Sequence, residues 1–236
     1  MNPPSSLPFW CVVPAAGVGS RMRADRPKQY LTLSGRTILE HTLARLLAQP
    51  GLQRVVVSLS SDDPYWPHVA QAADERVWTA PGGKERADSV LSALDRLVAA
   101  GVEEHAWVLV HDAARPNLAP EDLARLLATL ANDPVGGLLA GPSRDTLKLI
   151  GPDGRVVQTL DRAAIWQAYT PQMFRLGLLR AALSDALAAG AQVTDEASAM
   201  ERLGYSPRLV EGRTDNIKVT RPEDLEWLQR AWGDPL

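Results

Sequence analysis

The chain has 236 residues, 45% of them hydrophobic and 22% charged, with 17 Gly and 18 Pro. That length suits one domain with a self-supporting core, and the composition excludes collagen-like, disulfide-scaffold and wholly disordered classes. With 25 Lys plus Arg against 28 Asp plus Glu, the net charge of −3 leaves no overall basic footprint for nucleic acid, so any anion site is local.

Residues 1–8, MNPPSSLP, read as a frayed tail. No Lys or Arg precedes Arg21, so the charged region of a signal peptide is missing, and no apolar run approaches the ~18 residues of a membrane span. FWCVVPA from Phe9 reads as a buried strand. Its Cys11 is the single cysteine of the chain and cannot form an intrachain disulfide. Beside Trp10, Val12 and Val13 it reads as a small buried hydrophobe suited to a reducing cytoplasm. Neither a membrane nor a nucleic-acid partner is expected.

The strand runs into VVPAAGVGSRMRADRPKQY, which places Gly17 and Gly19, then Arg21, Arg23, Arg26 and Lys28, past a strand's carboxyl end. Open α/β sheets bind ligands there. Glycines let backbone N–H groups approach phosphates, and the cations suit a polyphosphate. A dinucleotide fingerprint would need a third glycine where Met22 stands, and no Walker A sequence is present; a merely solvated basic loop stays open as the alternative.

Next come a helix in ILEHTLARLLAQ, a strand in RVVVSLS from Arg54 and a helix near Pro67 to Ala73. GGKERADSV from Gly82 joins a glycine pair to a helix start, with Ser89 placed either to meet a flat base or to lie on the surface. Val90, Leu91, Leu94, Leu97 and Val98 share one face of that helix, and Gly101 stops it. HAWVLVHDA from His105 is a second apolar strand, and its end delivers Asp112 to the same sheet edge as the glycine loop. Asp112 is the metal-ligand candidate, since Mg²⁺ binds through one or two carboxylates plus substrate phosphates. A turn cap is the alternative. His111 alternates onto the other face and reads as structural.

Pro120 opens a helix with Leu123, Leu126, Leu127 and Leu130 on one face. TLKLI at Thr146, GPDG at Gly151 and RVVQTL at Arg155 then break the pattern as a β-hairpin within an arm of about residues 143–170. An isolated hairpin is marginal in water, so it should pack on a second copy of the chain or fold back on its own domain. Arg162 follows it, and Thr194 in VTDEASA reads as a helix cap. Lys218 precedes a last helix, opened by Thr220 and Glu223 at capping-box spacing around Pro222 and running to about Trp232. The alternation predicts an α/β fold: one domain over residues 1–236, with a mostly parallel sheet, right-handed crossovers and no repeat or linker.

PAAGVGSRM with PKQY, GGKERADSV, VLVHDAARP, RDTLK, LDR with the following TPQ, TDEASA, and EGRTDNIKVTRPED occur in that order between Phe9 and Glu226. Together these blocks resemble the 2-C-methyl-D-erythritol 4-phosphate cytidylyltransferase family. The resemblance implies a Rossmann-like, nucleotidyltransferase-type sheet flanked by helices, with a protruding β-hairpin arm, a homodimer through that arm, and Mg²⁺ or another divalent cation as cofactor. The substrates it implies are CTP and methylerythritol phosphate. By the same resemblance Arg21, Lys28 and Lys218 act on the reacting phosphates. Pro14, Ala15, Ala16, Gly17, Gly19, Gly83 and Ser89 hold the nucleotide. Asp112, which also takes the metal, stands with Arg115, Thr146, Arg162, Thr170 and Thr194 around the second substrate, Thr146 and Arg162 reaching into the partner's site. Lys84 stands where some relatives have an acidic residue. With the chain ending at Leu236, no room is expected for the fused cyclodiphosphate synthase domain that some relatives carry.

The implied reaction is attack of a phosphate oxygen on the α-phosphorus of CTP with loss of pyrophosphate. It needs no base, because a phosphate monoester with a second pKa of about 6 is already largely dianionic at pH 7. A cytidylyltransferase for another polyol phosphate, such as ribitol 5-phosphate, and a non-catalytic nucleotide sensor are the competing readings.

Overall fold

The structure, a computed structural model, describes residues 7–22 and 24–233; most of the expected tail, and Arg23, lie outside the described residues. The buried strand β1 (Phe9–Pro14) is followed by a short ribbon, β2 (Thr32–Leu33) and β3 (Arg36–Thr37), that leads into α1 (Ile38–Leu47). Thr37 starts this helix with a reciprocal cap: its Oγ1 accepts from Glu40 N at 3.2 Å, and Glu40 Oε2 accepts from Thr37 N at 2.7 Å. β4 (Leu52–Leu59) follows.

The helix expected near Pro67 to Ala73 is instead two single 3₁₀ turns, Trp66–His68 and Ala70–Ala73, separated by Val69 in extended conformation. Val69 is the only buried residue in that stretch, so there is no apolar stripe to hold a longer helix down.

β5 (Val77–Pro81), α2 (Arg86–Ala99), β6 (Trp107–Val110) and α3 (Pro120–Leu130) complete the alternating part. On α2 the buried face is narrower than expected: Val90, Leu94 and Leu97 point inward with Ala87 and Ala93, while Val98 at the last turn is exposed. The remainder comprises β7 (Gly136–Pro142), β8 (Lys148–Ile150), β9 (Val156–Thr159), β10 (Trp166–Arg175), α4 (Leu176–Ala188), α5 (Glu196–Arg202), β11 (Arg208–Glu211) and α6 (Pro222–Ala231). The last helix starts one residue later than its sequence spacing suggests. Asp224, not Glu223, accepts from the N–H groups of Thr220 and Arg221, at 2.8 and 2.9 Å.

Seven strands form one sheet in the order β11-β7-β10-β6-β1-β4-β5. β1 pairs in parallel with β4 and β6, and β4 with β5, whereas β10 runs antiparallel to both its neighbours. Alternation along β1 divides the core. Cys11 and Val13 face α1 and α3, with Leu39, Leu43, Leu123 and Leu126; Val12 faces α2 and α4, with Val90, Leu94, Leu179 and Leu183. Both faces are covered, which is why this strand reads as an unbroken apolar run.

β8 and β9 pair with each other, Lys148 opposite Thr159 and Leu149 opposite Gln158, and with no strand of the large sheet. Every residue of the two strands is exposed, including Leu149, Ile150, Val156 and Val157. The hairpin is shorter than its apolar runs suggested, and it is not folded back as an edge of the domain.

Candidate active site

The parallel pairing of β1, β4, β5 and β6 brings their carboxyl ends to one rim, where two glycine loops face each other across a cleft of about 470 Å³. The first loop, from Ala15 to Gly19, is held from behind by Gln29, whose buried amide donates to the carbonyls of Ala15 and Gly17. With those carbonyls occupied, the loop has N–H groups to offer an anion. Gly19 takes a φ of +68°, and a Cβ there would lie 3.0 Å from the Lys28 stem. The positive φ favours glycine, and any side chain there would press on the Lys28 stem.

The second loop packs closely on the first: a Cβ at Gly82 would come 2.2 Å from the Ala16 methyl group. Gly83 N–H donates to Ser89 Oγ at 3.0 Å, and that hydroxyl donates to Glu85 O at 3.2 Å. Ser89 is therefore buried at the floor of the loop and not on the surface.

Lys28 lines the cleft and donates from Nζ to Val219 O at 3.0 Å. Burial, and then repulsion from Lys218, bring its pKa down to about 8, with Asp112 opposing and Arg21 and Arg115 adding to the shift. A bound polyphosphate favours the ammonium form, so binding above pH 8 must take up a proton. We expect nucleotide affinity to fall as pH rises through about 8, and calorimetry at pH 8.5 to show proton uptake as heats that depend on the buffer. In Lys28→Arg, always charged, that buffer dependence should vanish; its persistence would place the proton elsewhere.

Asp112, just past β6, is gripped by cations. Its Oδ1 accepts from Arg86 Nε at 3.1 Å, and its Oδ2 lies 2.9 Å from Lys218 Nζ and 3.5 Å from Arg115 Nε. Burial works to raise its pKa, but Arg86, Lys218 and Arg115 outweigh it and hold the carboxyl well below the usual range. The carboxylate caps no turn; the turn here is closed by the backbone, Arg115 N donating to Asp112 O at 3.1 Å.

Beneath Asp112 a buried relay fixes the strand end. Asp112 N–H donates to Thr170 Oγ1 at 3.0 Å, the Thr170 hydroxyl meets His111 Nδ1 at 3.0 Å, and His111 Nε2 meets Arg115 O at 3.1 Å. Donors and acceptors balance if His111 is neutral with its proton on Nε2, and burial lowers its pKa to about 4. His111 is a structural histidine, as its strand position implied.

Pro14, Ala15, Ala16, Gly17, Gly19, Arg21, Lys28, Gly83, Ser89, Asp112 and Lys218 all line this one cleft, as does Lys84. Arg115 and Thr170 lie under it, buried, Arg115 donating to Asn216 O at 2.6 Å. Thr146 and Arg162 are exposed at the base of the arm, where Arg162 Nη1 donates to Arg144 O at 2.7 Å; neither lines the cleft. Thr194 is exposed ahead of α5 and does not cap it. Asp195 does, accepting from Ser198 N at 2.9 Å. The sequence reasoning passed over Gln29, Arg86, Glu196 and Asn216. Gln29 and Arg86 stand inside the blocks PKQY and GGKERADSV, but no local spacing marks either side chain's partner.

The family described as "IspD: 2-C-methyl-D-erythritol 4-phosphate cytidylyltransferase" matches over residues 9–231. A curated protein of that name from Ectopseudomonas mendocina is 69% identical, covering 96% of this chain and 97% of the relative; another from Pseudomonas fluorescens is 65% identical over 96% and 97%. Among solved structures, one titled 4-diphosphocytidyl-2C-methyl-D-erythritol synthase superposes with a TM-score of 0.83 at 37% identity, over 96% of this chain and 99% of that one. The cytidylyltransferase structure from Francisella tularensis gives 0.81 at 35% identity, over 95% and 99%. With the two glycine loops, the cation cluster and the sheet order already in place, the chain belongs to the 2-C-methyl-D-erythritol 4-phosphate cytidylyltransferase family.

Proposed function

We propose that the protein transfers the cytidylyl group of CTP to 2-C-methyl-D-erythritol 4-phosphate, giving 4-diphosphocytidyl-2-C-methyl-D-erythritol and pyrophosphate. The observation that carries this reading is the convergence of Arg21, Lys28 and Lys218 on one cleft at the strand ends, beside Asp112. An acceptor phosphate oxygen forms a bond to the α-phosphorus as the bond from that phosphorus to the oxygen bridging the α- and β-phosphates breaks, and the β- and γ-phosphates leave together as pyrophosphate. Both reactants are anions, so the barrier is repulsion, and the three cations answer it by concentrating positive charge where negative charge spreads in the transition state. His111, neutral and walled in by Thr170 and Arg115, takes no part in proton transfer.

The loop carbonyls tied to Gln29 leave N–H groups for the triphosphate, and the Gly83 and Ser89 floor supports the base. Asp112 would hold Mg²⁺ or another divalent cation, sharing oxygens that Arg86 and Lys218 also meet: the described residues contain no cluster of three or more metal-ligating side chains, and one carboxylate suffices where substrate phosphates supply the rest. When bound, the ion neutralises phosphate charge. Arg115 and Thr170 act from below by fixing Asp112.

Thr146, Arg162 and Thr194 serve the second substrate, the first two from a partner subunit's arm. The exposed apolar side chains of β8 and β9 support a homodimer through this arm, since a free two-stranded hairpin is marginal in water. On this reading the chain is one domain with an arm over about residues 143–170. No helix among the described residues is long and apolar enough to cross a membrane. A buried lone thiol suits a cytoplasmic setting.

Pyrophosphate release with Mg²⁺, the four common nucleoside triphosphates, and either methylerythritol phosphate or ribitol 5-phosphate tests the reading. CTP with methylerythritol phosphate should be the productive pair. Turnover with ribitol phosphate alone would assign another acceptor, and CTP binding without release for any acceptor would mark a sensor. Arg162→Ala should raise KM for the acceptor phosphate several-fold while leaving KM for CTP near its starting value; equal rises would remove Arg162 from the acceptor side.

A further inference from the structure

Arg86, the first residue of α2, stands between two carboxylates. Its Nε donates to Asp112 Oδ1 at 3.1 Å, and its Nη1 and Nη2 donate to the two oxygens of Glu196 at 2.6 and 3.0 Å. Glu196 is completely buried and opens α5. The start of that helix is pinned in turn by Gln172 of β10: its Nε2 donates to Asp195 Oδ2 at 2.9 Å, and its Oε1 accepts from Ala197 N at 2.8 Å. One guanidinium therefore joins the second glycine loop, the carboxylate at the cation cluster and the segment that carries Thr194.

The charge arithmetic gives this arrangement a purpose beyond cohesion. An isolated arginine against Asp112 would neutralise it. Paired bidentately with Glu196, Arg86 adds no net charge to the group, yet still directs a hydrogen bond at Oδ1 that fixes the carboxylate's orientation. The negative charge of Asp112 then remains for Lys218 and Arg115, which meet its other oxygen. Arg86 also lines the cleft, with its side chain 27% exposed, so the pair sits at the reacting centre and not in the general core.

We propose that Arg86, neutralised by Glu196, is a positioning residue: it sets Asp112 for the reaction and locks the nucleotide-side loop to the acceptor-side segment at the start of α5. The proposal rests on the reading of the cleft given above. If the pair served stability alone, well-packed apolar residues could replace it at little cost, because exchanging both members of a buried ion pair leaves no unpaired charge.

The test is the double variant Arg86→Met/Glu196→Leu, compared with the parent by thermal unfolding and steady-state kinetics. The expected result is a thermal midpoint close to the parent's, kcat lowered about 10- to 100-fold, the range for outer groups that orient a functional ligand, a raised KM for the acceptor phosphate, and KM for CTP changed far less. A folded double variant with parental kcat and both KM values would overturn the proposal. Should it fail to fold, Arg86→Lys decides. Its single ammonium keeps the charge opposite Glu196 but cannot reproduce the fork to Glu196 together with the bond to Asp112; lowered kcat at unchanged CTP affinity is expected, and unchanged kcat overturns. Lys28→Ala run alongside separates the two ideas: full turnover in that variant sinks the reading of the cleft itself, whereas its loss beside an unaffected Arg86 variant sinks only the positioning role.

Discussion

Lys28→Ala should lower kcat by about 10² to 10³-fold, the loss of roughly 3 to 4 kcal/mol that removal of one preorganised charge-stabilising group typically produces. Its fold should survive. Among the described residues the Lys28 ammonium donates only to Val219 O, and burial together with repulsion from Lys218 pulls its pKa down to about 8. A lysine whose folded-state pKa lies below its unfolded value is held charged at a cost at neutral pH, so the alanine variant relieves a strained charge while losing its attraction for phosphate. The signature is a thermal midpoint within a few degrees of the parent at pH 7, alongside collapsed pyrophosphate release. Turnover near the parental rate would take Lys28 out of the charge cluster.

Asp112→Asn should fail differently, losing stability and activity together. The carboxylate is the counter-charge for Arg115 and Lys218, and it accepts a hydrogen bond from Arg86, whose own charge Glu196 matches. Removing the anionic partner of a buried ion pair costs about 3 to 5 kcal/mol because the remaining charges stay uncompensated. The pH dependence checks the cause. The folded-state pKa of Asp112 is held below its unfolded value, about 3.9 for a free aspartate, so its contribution is complete above that value and declines as pH falls further. Urea unfolding of parent and variant should differ most at pH 6 to 7, with the gap narrowing below about pH 4. A gap independent of pH would trace the loss to altered packing instead of charge.

Thr170 illustrates why part of the site could not be read along the chain. The family resemblance implies a place for it around the second substrate. In the fold its hydroxyl is engaged by Asp112 N–H and His111 Nδ1, across a separation of 58 residues from the aspartate. The same holds for Arg86 and Glu196, 110 residues apart, and for the Gln29 amide turned back onto the loop behind it. A buried polar side chain finds partners by proximity after packing, and no periodicity records which partner that will be. The shifted start of α6 has a more local cause: proline suits the first helical position, so with Pro222 there Arg221 is the cap and Asp224, not Glu223, is the third helical residue.

The α/β class, the first glycine loop and Asp112 at strand ends, the second glycine pair at a helix start, and the hairpin that leaves the pattern were all legible along the chain. These follow from side-chain periodicity, from glycine's backbone freedom and from the tendency of parallel strands to present their carboxyl ends on one side. Only the tertiary structure decided which cations meet. Lys218 reaches Asp112 after the chain has added β7, β10 and β11, and Glu196, completely buried, is held to Arg86 because a carboxylate taken out of water needs a paired charge.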